Sequence, residues 1–394
     1  MKQKKMFLVL GLAALFAACS NESDSLEESV KVPTTDLSLN LQSMGYDDLA
    51  NVLSSTLSSR KDVTLKDGTE SWVVQLEQNQ KVKIEEEGHN VNLYKGRIHD
   101  SLSAVLSPNY ATLRIQRNGE LISFVSYKEK NEMKKVANYY LTKFLPTQTR
   151  AIKEIVTCIN SPQTRSGKSD VSCVKINTTK AIESNPFKGS INDDCVVNKQ
   201  DFPTSKIATY DGSPFPANLE FILLKEKDGG ALDHEIVWQT EATTTSLEFL
   251  INAGFISPIY HIRDCPYKGL NNWPESARGE FEAYLKRWDE VSGMGDKVYI
   301  LMRDGVWEQG TLGVASLGVI HYYKPAQNFE ISAISTSSSL SPNTMAHEVG
   351  HLFGAVHVDD NKEDLMHTHY EGTETPHHLS ADNWDRMLNC WLEK

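Results

Sequence analysis

The stretch HEVGHLFGAVH, residues 347 to 357, restricts this chain more than any other part of it. His347 and His351 are four apart, so on an α-helix they lie about 40° from each other around the axis and face the same way. His357 is six beyond His351, and on a continued helix it would point about 240° away. The three imidazoles can meet only if the chain turns between them. Gly354 stands where the turn must be, because glycine enters the left-handed conformation without steric cost. The fold must therefore contain a helix, a glycine turn and a return limb.

Three histidines leave the fourth position of a tetrahedral Zn²⁺ open for water, which marks a catalytic rather than a closed structural site. One catalytic Zn²⁺ is the implied cofactor, with His347, His351 and His357 as ligands. Glu348 is then the candidate general base. Zinc lowers the pKa of bound water from about 15.7 toward about 7, and the carboxylate takes the proton as that water attacks a carbonyl. The proton passes on to the leaving amine. This is peptide-bond hydrolysis without a covalent intermediate, and its partner is a protein or peptide substrate.

Most of the chain precedes this motif, and 394 residues suffice for two domains with proper cores. A formal charge of -12 offers no basic surface to nucleic acid or anionic lipid. The first 18 residues read as an export signal, with Lys2, Lys4 and Lys5 ahead of an apolar core from Met6 to Ala18 that is too short to span a bilayer. Ala17-Ala18-Cys19 resembles the end of a bacterial lipobox, which implies lipid on Cys19 and an anchored, not spanning, state. Phe16 departs from that pattern, so simple secretory cleavage near Ser20 is the alternative. The remaining cysteines match no CxxC metal pattern. Cys265 and Cys390 are a candidate pair.

Residues 19–40 read as a polar tether. From there to about residue 183 the pattern is mostly that of strands, including WVVQLEQ, KVKIEEEGHNVNLY and a hairpin in TLRIQRNGELISFVSY around Asn118-Gly119. One amphipathic helix is predicted over residues 128–145. Residues 184–218 are rich in Asn, Asp, Pro, Gly and Ser and read as a linker. Strands and helices then alternate. NLEFILLKEK, DKVYILMRD and the glycine-bearing TLGVASLGVIHYY are strands, while WPESARGEFEAYLKRWDEV, SPNTMAHEVGHLFG and SADNWDRMLNCWLEK are helices, the last with Ser380 as N-cap. The histidines that follow the motif, His367, His369, His377 and His378, read as polar loop residues, since no ligand spacing is enforced there.

HExxHxxGxxH followed by DLMH resembles the metzincin metalloproteases. The resemblance implies that Met366 is the Met-turn residue, an apolar floor under the ligands. Within that clan CSNESDSL, VKIN, IND, MAHEVGHLFGAVH and DLM resemble the fragilysin-like group. Val358-Asp359 follows the third histidine, unlike the Asp of adamalysins, and Thr368 stands where astacin-like enzymes carry a tyrosine. The implied fold is an α+β pro-domain rich in antiparallel β (residues 41–206, inhibitory) followed by an α/β metzincin catalytic domain (207–394). That domain has a twisted mixed sheet, an active-site helix and a C-terminal helix, and is expected to be a monomer. Substrate is expected to pair along a sheet edge, for which TLGVASLGVIHYY is the candidate through Gly313 and Gly318.

An open zinc position can be blocked by a carboxylate or thiolate, and INDDC offers Asp193, Asp194 and Cys195. The resemblance makes Asp193 the first choice as latency ligand. Activation would then need a cut beyond it; Lys206-Ile207 fits a trypsin-like protease, and Lys199 is the second candidate. The implied life history is export from a bacterial cell, residence as an outer-membrane or surface lipoprotein held only by the N-terminal lipid, and secretion after cleavage, with a toxin or virulence role by resemblance. The alternative is a catalytically silent surface lipoprotein, an adhesin or binding module keeping a metzincin fold. Glu348 and the three histidines favour the enzyme.

Overall fold

The computed structural model describes residues 37–55, 61–96, 102–144, 154–161, 170–183, 217–227, 230–265, 274–287, 297–305, 307, 311–322, 332–336, 341–368 and 379–392. The export segment, most of the tether and the linker lie outside these residues, and with them Cys19, Asp193, Asp194, Cys195, Lys206 and Ile207.

The N-terminal half runs β1 (Leu37–Asn40), α1 (Tyr46–Ser55), β2 (Lys61–Asp67), β3 (Glu70–Gln78), β4 (Lys83–Glu86), β5 (His89–Gly96), β6 (Leu102–Leu106), β7 (Tyr110–Arg117), β8 (Glu120–Tyr127), α2 (Lys130–Lys143), β9 (Val156–Asn160), β10 (Val171–Asn177) and α3 (Thr178–Glu183). The C-terminal half runs β11 (Ala217–Glu226), α4 (Asp233–Ser246), α5 (Glu248–Asn252), β12 (Ile256–Cys265), α6 (Pro274–Arg287), β13 (Lys297–Arg303), β14 (Gly313–Ala315), β15 (Ser332–Thr336), α7 (Thr344–Leu352) and α8 (Ala381–Leu392).

Local chemistry explains the first half. Asn118 and Gly119 both have positive φ, 53° and 79°, the type I′ geometry that matches strand twist. They join β7 to β8 with Arg117 opposite Glu120. A second such turn at Glu87-Gly88, φ 48° and 83°, divides KVKIEEEGHNVNLY into β4 and β5. On α2 the buried residues Met133, Val136, Ala137 and Tyr140 recur at helical spacing, so one stripe faces the sheet.

The second half is an α/β layer structure. Strands β11, β12, β13 and β15 run parallel, and β14 returns antiparallel at the edge. Both faces of β11 are covered: Phe221 and Leu223 enter one core with α4 and α7, and Ile222 and Leu224 enter another with Phe281 and Leu285 of α6. That is why FILL is an unbroken apolar run. Each such side chain contributes about 1.5–3 kcal/mol on burial.

The halves share one continuous sheet, ordered β14-β15-β13-β11-β12-β4-β5-β6-β7-β8-β10-β9, with β3, β2 and β1 branching from β5. The join is β4, which pairs in parallel with β12 from Lys83 opposite Ile259 to Glu86 opposite Ile262. Around it, Lys143 pairs with Asp304 at 2.8 Å and Arg114 with Glu241 at 3.6 Å. The Trp238 indole donates to Thr112 Oγ1 at 3.3 Å. From Leu37 onward the described residues form one compact unit.

Two expectations change. TLGVASLGVIHYY is not one strand: β14 keeps three residues, Gly318 turns the chain with φ 66°, and Val319–Tyr322 is a 3₁₀ helix. The Gly318 amide donates to the His351 carbonyl at 2.8 Å, which draws this segment off the sheet onto α7. Cys265 and Cys390 do not pair either. Both are buried thiols, Cys265 packed in the core with α6 and Cys390 in the core with α7.

Candidate metal centre

α7 is buried along its whole length. It stops as the glycine argument requires. Gly354 has φ 92°, its amide donates to His351 O at 2.8 Å, and the Ala355 amide donates to Gly350 O at 2.9 Å. These two bonds are the Schellman pattern, which satisfies the last helical carbonyls while reversing the chain. The return limb brings His357 to the other two histidines.

The ring nitrogens define the chemistry. His347 Nδ1 lies 2.6 Å from Leu365 O, and His351 Nδ1 lies 2.9 Å from Ala355 O. A carbonyl only accepts, so each Nδ1 carries the proton and each Nε2 presents a lone pair. The Nε2 atoms of His347, His351 and His357 converge at 3.0, 3.0 and 3.4 Å. Lone pairs opposed at that range repel unless a cation lies among them. A tetrahedral ion with bonds of about 2.0–2.1 Å would hold its ligands about 3.3 Å apart. The three residues fit a metal ion.

Glu348 is fully buried, and its carboxylate lies against β14. A Cβ on Gly313 would overlap Glu348 Oε1 and stand 2.7 Å from its Cδ, so only glycine lets the edge strand pass this close. Met366 is buried too, its Sδ against Gly350, where a Cβ would come within 2.7 Å. The Met366 carbonyl accepts the Val358 amide at 2.9 Å, which ties the methionine turn to the return limb.

Several contributors carry no signal in local spacing. Gln239 on α4 donates from Nε2 to Ser341 O at 2.8 Å and accepts the Met345 amide at 3.1 Å, holding the start of α7. Asp364 accepts the Met366 amide and the Ser380 amide, both at 2.8 Å. Asn383 on α8 bonds both polar groups of the Val356 backbone. Asp364 and Asn383 stood inside stretches already picked out, DLM and the last helix, yet their partners are 16 and 27 residues away. Thr368 donates to Asp359 at 2.6 Å, so those two positions form an exposed link. His367 is partly exposed, and His369, His377 and His378 lie outside the described residues.

Fold and site together define a metallopeptidase. Residues 240–388 match the model of metallo-peptidase family M12, and residues 38–181 match that of the N-terminal domain of fragilysin. A crystal structure of metalloproteinase-II from Bacteroides fragilis is 46% identical, covering 92% of this chain and 100% of its own, with a TM-score of 0.77. The chain belongs to the fragilysin-like metalloproteases of family M12, and it is a metalloendopeptidase with a strand-rich N-terminal domain.

Proposed function

We propose that this chain is a zinc-dependent endopeptidase made as a latent zymogen. The observation that carries the reading is the convergence of three Nε2 lone pairs, two of them fixed by carbonyls on the opposite ring nitrogen. His347, His351 and His357 would hold the ion. Bound Zn²⁺ supplies a lowered pKa to water and polarises the scissile carbonyl. Glu348 accepts a proton from the attacking water and delivers it to the leaving amine. Its burial strengthens that role, because a carboxylate shielded from bulk water keeps its proton transfers local. The short edge strand β14, whose Gly313 admits the Glu348 carboxylate, is where an extended peptide would pair.

The N-terminal half is the inhibitory pro-domain in this reading. Support comes from its grip on α4, the helix that holds the start of α7 through Gln239. Asp193 would occupy the fourth metal position, with Asp194 and Cys195 as alternatives, and a trypsin-like cut near Lys206-Ile207 would free the catalytic part. Lipid on Cys19 would keep the uncut chain at the surface of a bacterial cell, with secretion and a toxin-like role following release.

The test uses residues 20–394 exposed to trace trypsin, with sequencing of the new N-terminus and a casein assay with and without chelator. Activity should appear only after the cut, vanish with chelator and return with Zn²⁺. Full activity of the uncut protein would sink latency, and cut wild type no better than Glu348→Ala would return the choice to a silent lipoprotein.

A further inference from the structure

His347 and His351 are placed by helix α7, but His357 is not on a helix, and something else must set its reach. Its two neighbours in the chain are held from different directions. On one side the Val358 amide donates to Met366 O at 2.9 Å. On the other, Asn383 reaches from the first turn of α8 and binds Val356 twice: the Val356 amide donates to Asn383 Oδ1 at 2.9 Å, and Asn383 Nδ2 donates to the Val356 carbonyl at 2.9 Å.

This two-point contact needs one acceptor and one donor on the same short side chain, and the amide of asparagine supplies both. The amide's orientation follows from the pairing itself, since the reverse assignment would set donor against donor. Asn383 is 1% exposed, so losing the contact would leave backbone groups to be satisfied elsewhere. Its own position is fixed in turn. The Asn383 amide donates to Ser380 Oγ at 3.3 Å, the Ser380 amide donates to Asp364 Oδ2 at 2.8 Å, and Asp364 Oδ1 accepts the Met366 amide at 2.8 Å. A closed circuit therefore runs from Val356 through Asn383, Ser380, Asp364 and Met366 to Val358, with His357 at its centre.

We propose that Asn383 is the positioning residue for the third metal ligand: its clamp on Val356 sets where the His357 imidazole meets the ion. The inference rests on the reading of His347, His351 and His357 as the metal site. A side chain that orients a ligand without touching the ion changes metal affinity by about 10–100-fold when removed. Aspartate at 383 keeps the acceptor and loses the donor, while leucine keeps the shape and loses both.

The experiment compares wild type, Asn383→Asp and Asn383→Leu in the full chain after the export segment. Three quantities are measured: Zn²⁺ affinity by chelator competition, the visible absorption spectrum of the Co²⁺-loaded protein, and the melting temperature without metal. The expected result is affinity weakened by about 10–100-fold in Asn383→Leu and by less in Asn383→Asp, with a changed cobalt spectrum in both. If Asn383→Leu does not fold, Asn383→Asp decides alone. Unchanged affinity and spectrum in a variant whose metal-free melting temperature has dropped would overturn the proposal, leaving Asn383 a purely structural residue. Wild type that binds no Zn²⁺ would overturn the metal-site reading itself, and the inference with it.

Discussion

Two neighbouring helices carry the same buried dipeptide. α7 holds His347-Glu348, and α4, packed beside it, holds His234-Glu235; three of these four side chains are essentially inaccessible, and His347 is only 8% exposed. Their surroundings separate them. His234 is capped at both nitrogens by tyrosines of the N-terminal half: Tyr127 OH lies 3.0 Å from Nδ1 and Tyr140 OH lies 2.7 Å from Nε2. Tyr140 donates its proton to Glu235 Oε1 at 3.0 Å, so its oxygen accepts from His234 Nε2–H, and Tyr127 donates to Nδ1. That network leaves no lone pair for a ligand. At α7 the Nδ1 protons are taken by carbonyls and the Nε2 atoms face one another. A buried histidine becomes a metal ligand or a structural bridge according to what its second nitrogen meets. The residue four positions on tells the same story: His351 after His347, but Trp238 after His234, its ring edge-on to the imidazole at 4.9 Å.

The comparison is broken most sharply at the acids. Glu348→Gln should lower kcat by about 10²–10⁴-fold while Zn²⁺ stays bound. Glu235→Gln should leave the cut enzyme's kcat unchanged, and a casein assay beside metal analysis separates the two. Next comes Gly313→Ala, whose methyl would overlap the Glu348 carboxylate. It should lower kcat by about tenfold, a loss of about 1.4 kcal/mol of transition-state stabilisation, with Zn²⁺ content unaltered.

Smaller effects sharpen the structural side. Tyr140→Phe strands the His234 Nε2–H and one Glu235 contact, so the uncut chain should lose about 1–3 kcal/mol in denaturant unfolding. Its Zn²⁺ affinity should not move. The remaining effect is in pH. Burial, with Lys143 adding to it, pushes His234 down to about 3 from 6.5; stability from this group is present above pH 6.5 and lost as pH falls toward 3. Burial, then the Asp233 carboxylate, pushes Glu86 up to about 8 from 4.5; its contribution is complete below pH 4.5 and is lost as pH rises toward 8. The uncut chain should therefore melt highest between about pH 4.5 and 6.5. Glu86→Gln should flatten the alkaline limb in thermal melts across pH.

Much of this could be read in advance where the cause is local. Asn118-Gly119 specifies its hairpin because both residues accept positive φ. α2 and α8 show apolar stripes at helical period, and Ser380 caps α8 by accepting the Asn383 amide. α4 escaped because it is buried on nearly every side and rich in threonine, so no stripe marks it. TLGVASLGVIHYY misled because its apolar alternation is interrupted by a backbone turn whose partner, His351 O, is 33 residues away.

The sequence by itself determined the short-range geometry: two histidines on one helical face, a glycine that turns the chain, a third histidine within reach of the first two, and a hairpin at Asn-Gly. Residues three to ten apart constrain each other through backbone dihedrals, and those constraints are written in the spacing. Only the tertiary structure decided which buried histidine turns its Nε2 lone pair toward two other imidazoles and which is capped by tyrosines. It alone brought Asn383 to Val356, Gln239 to Met345 and β4 to β12, because partners far apart in the chain are chosen by packing and hydrogen-bond satisfaction, and spacing carries no record of them.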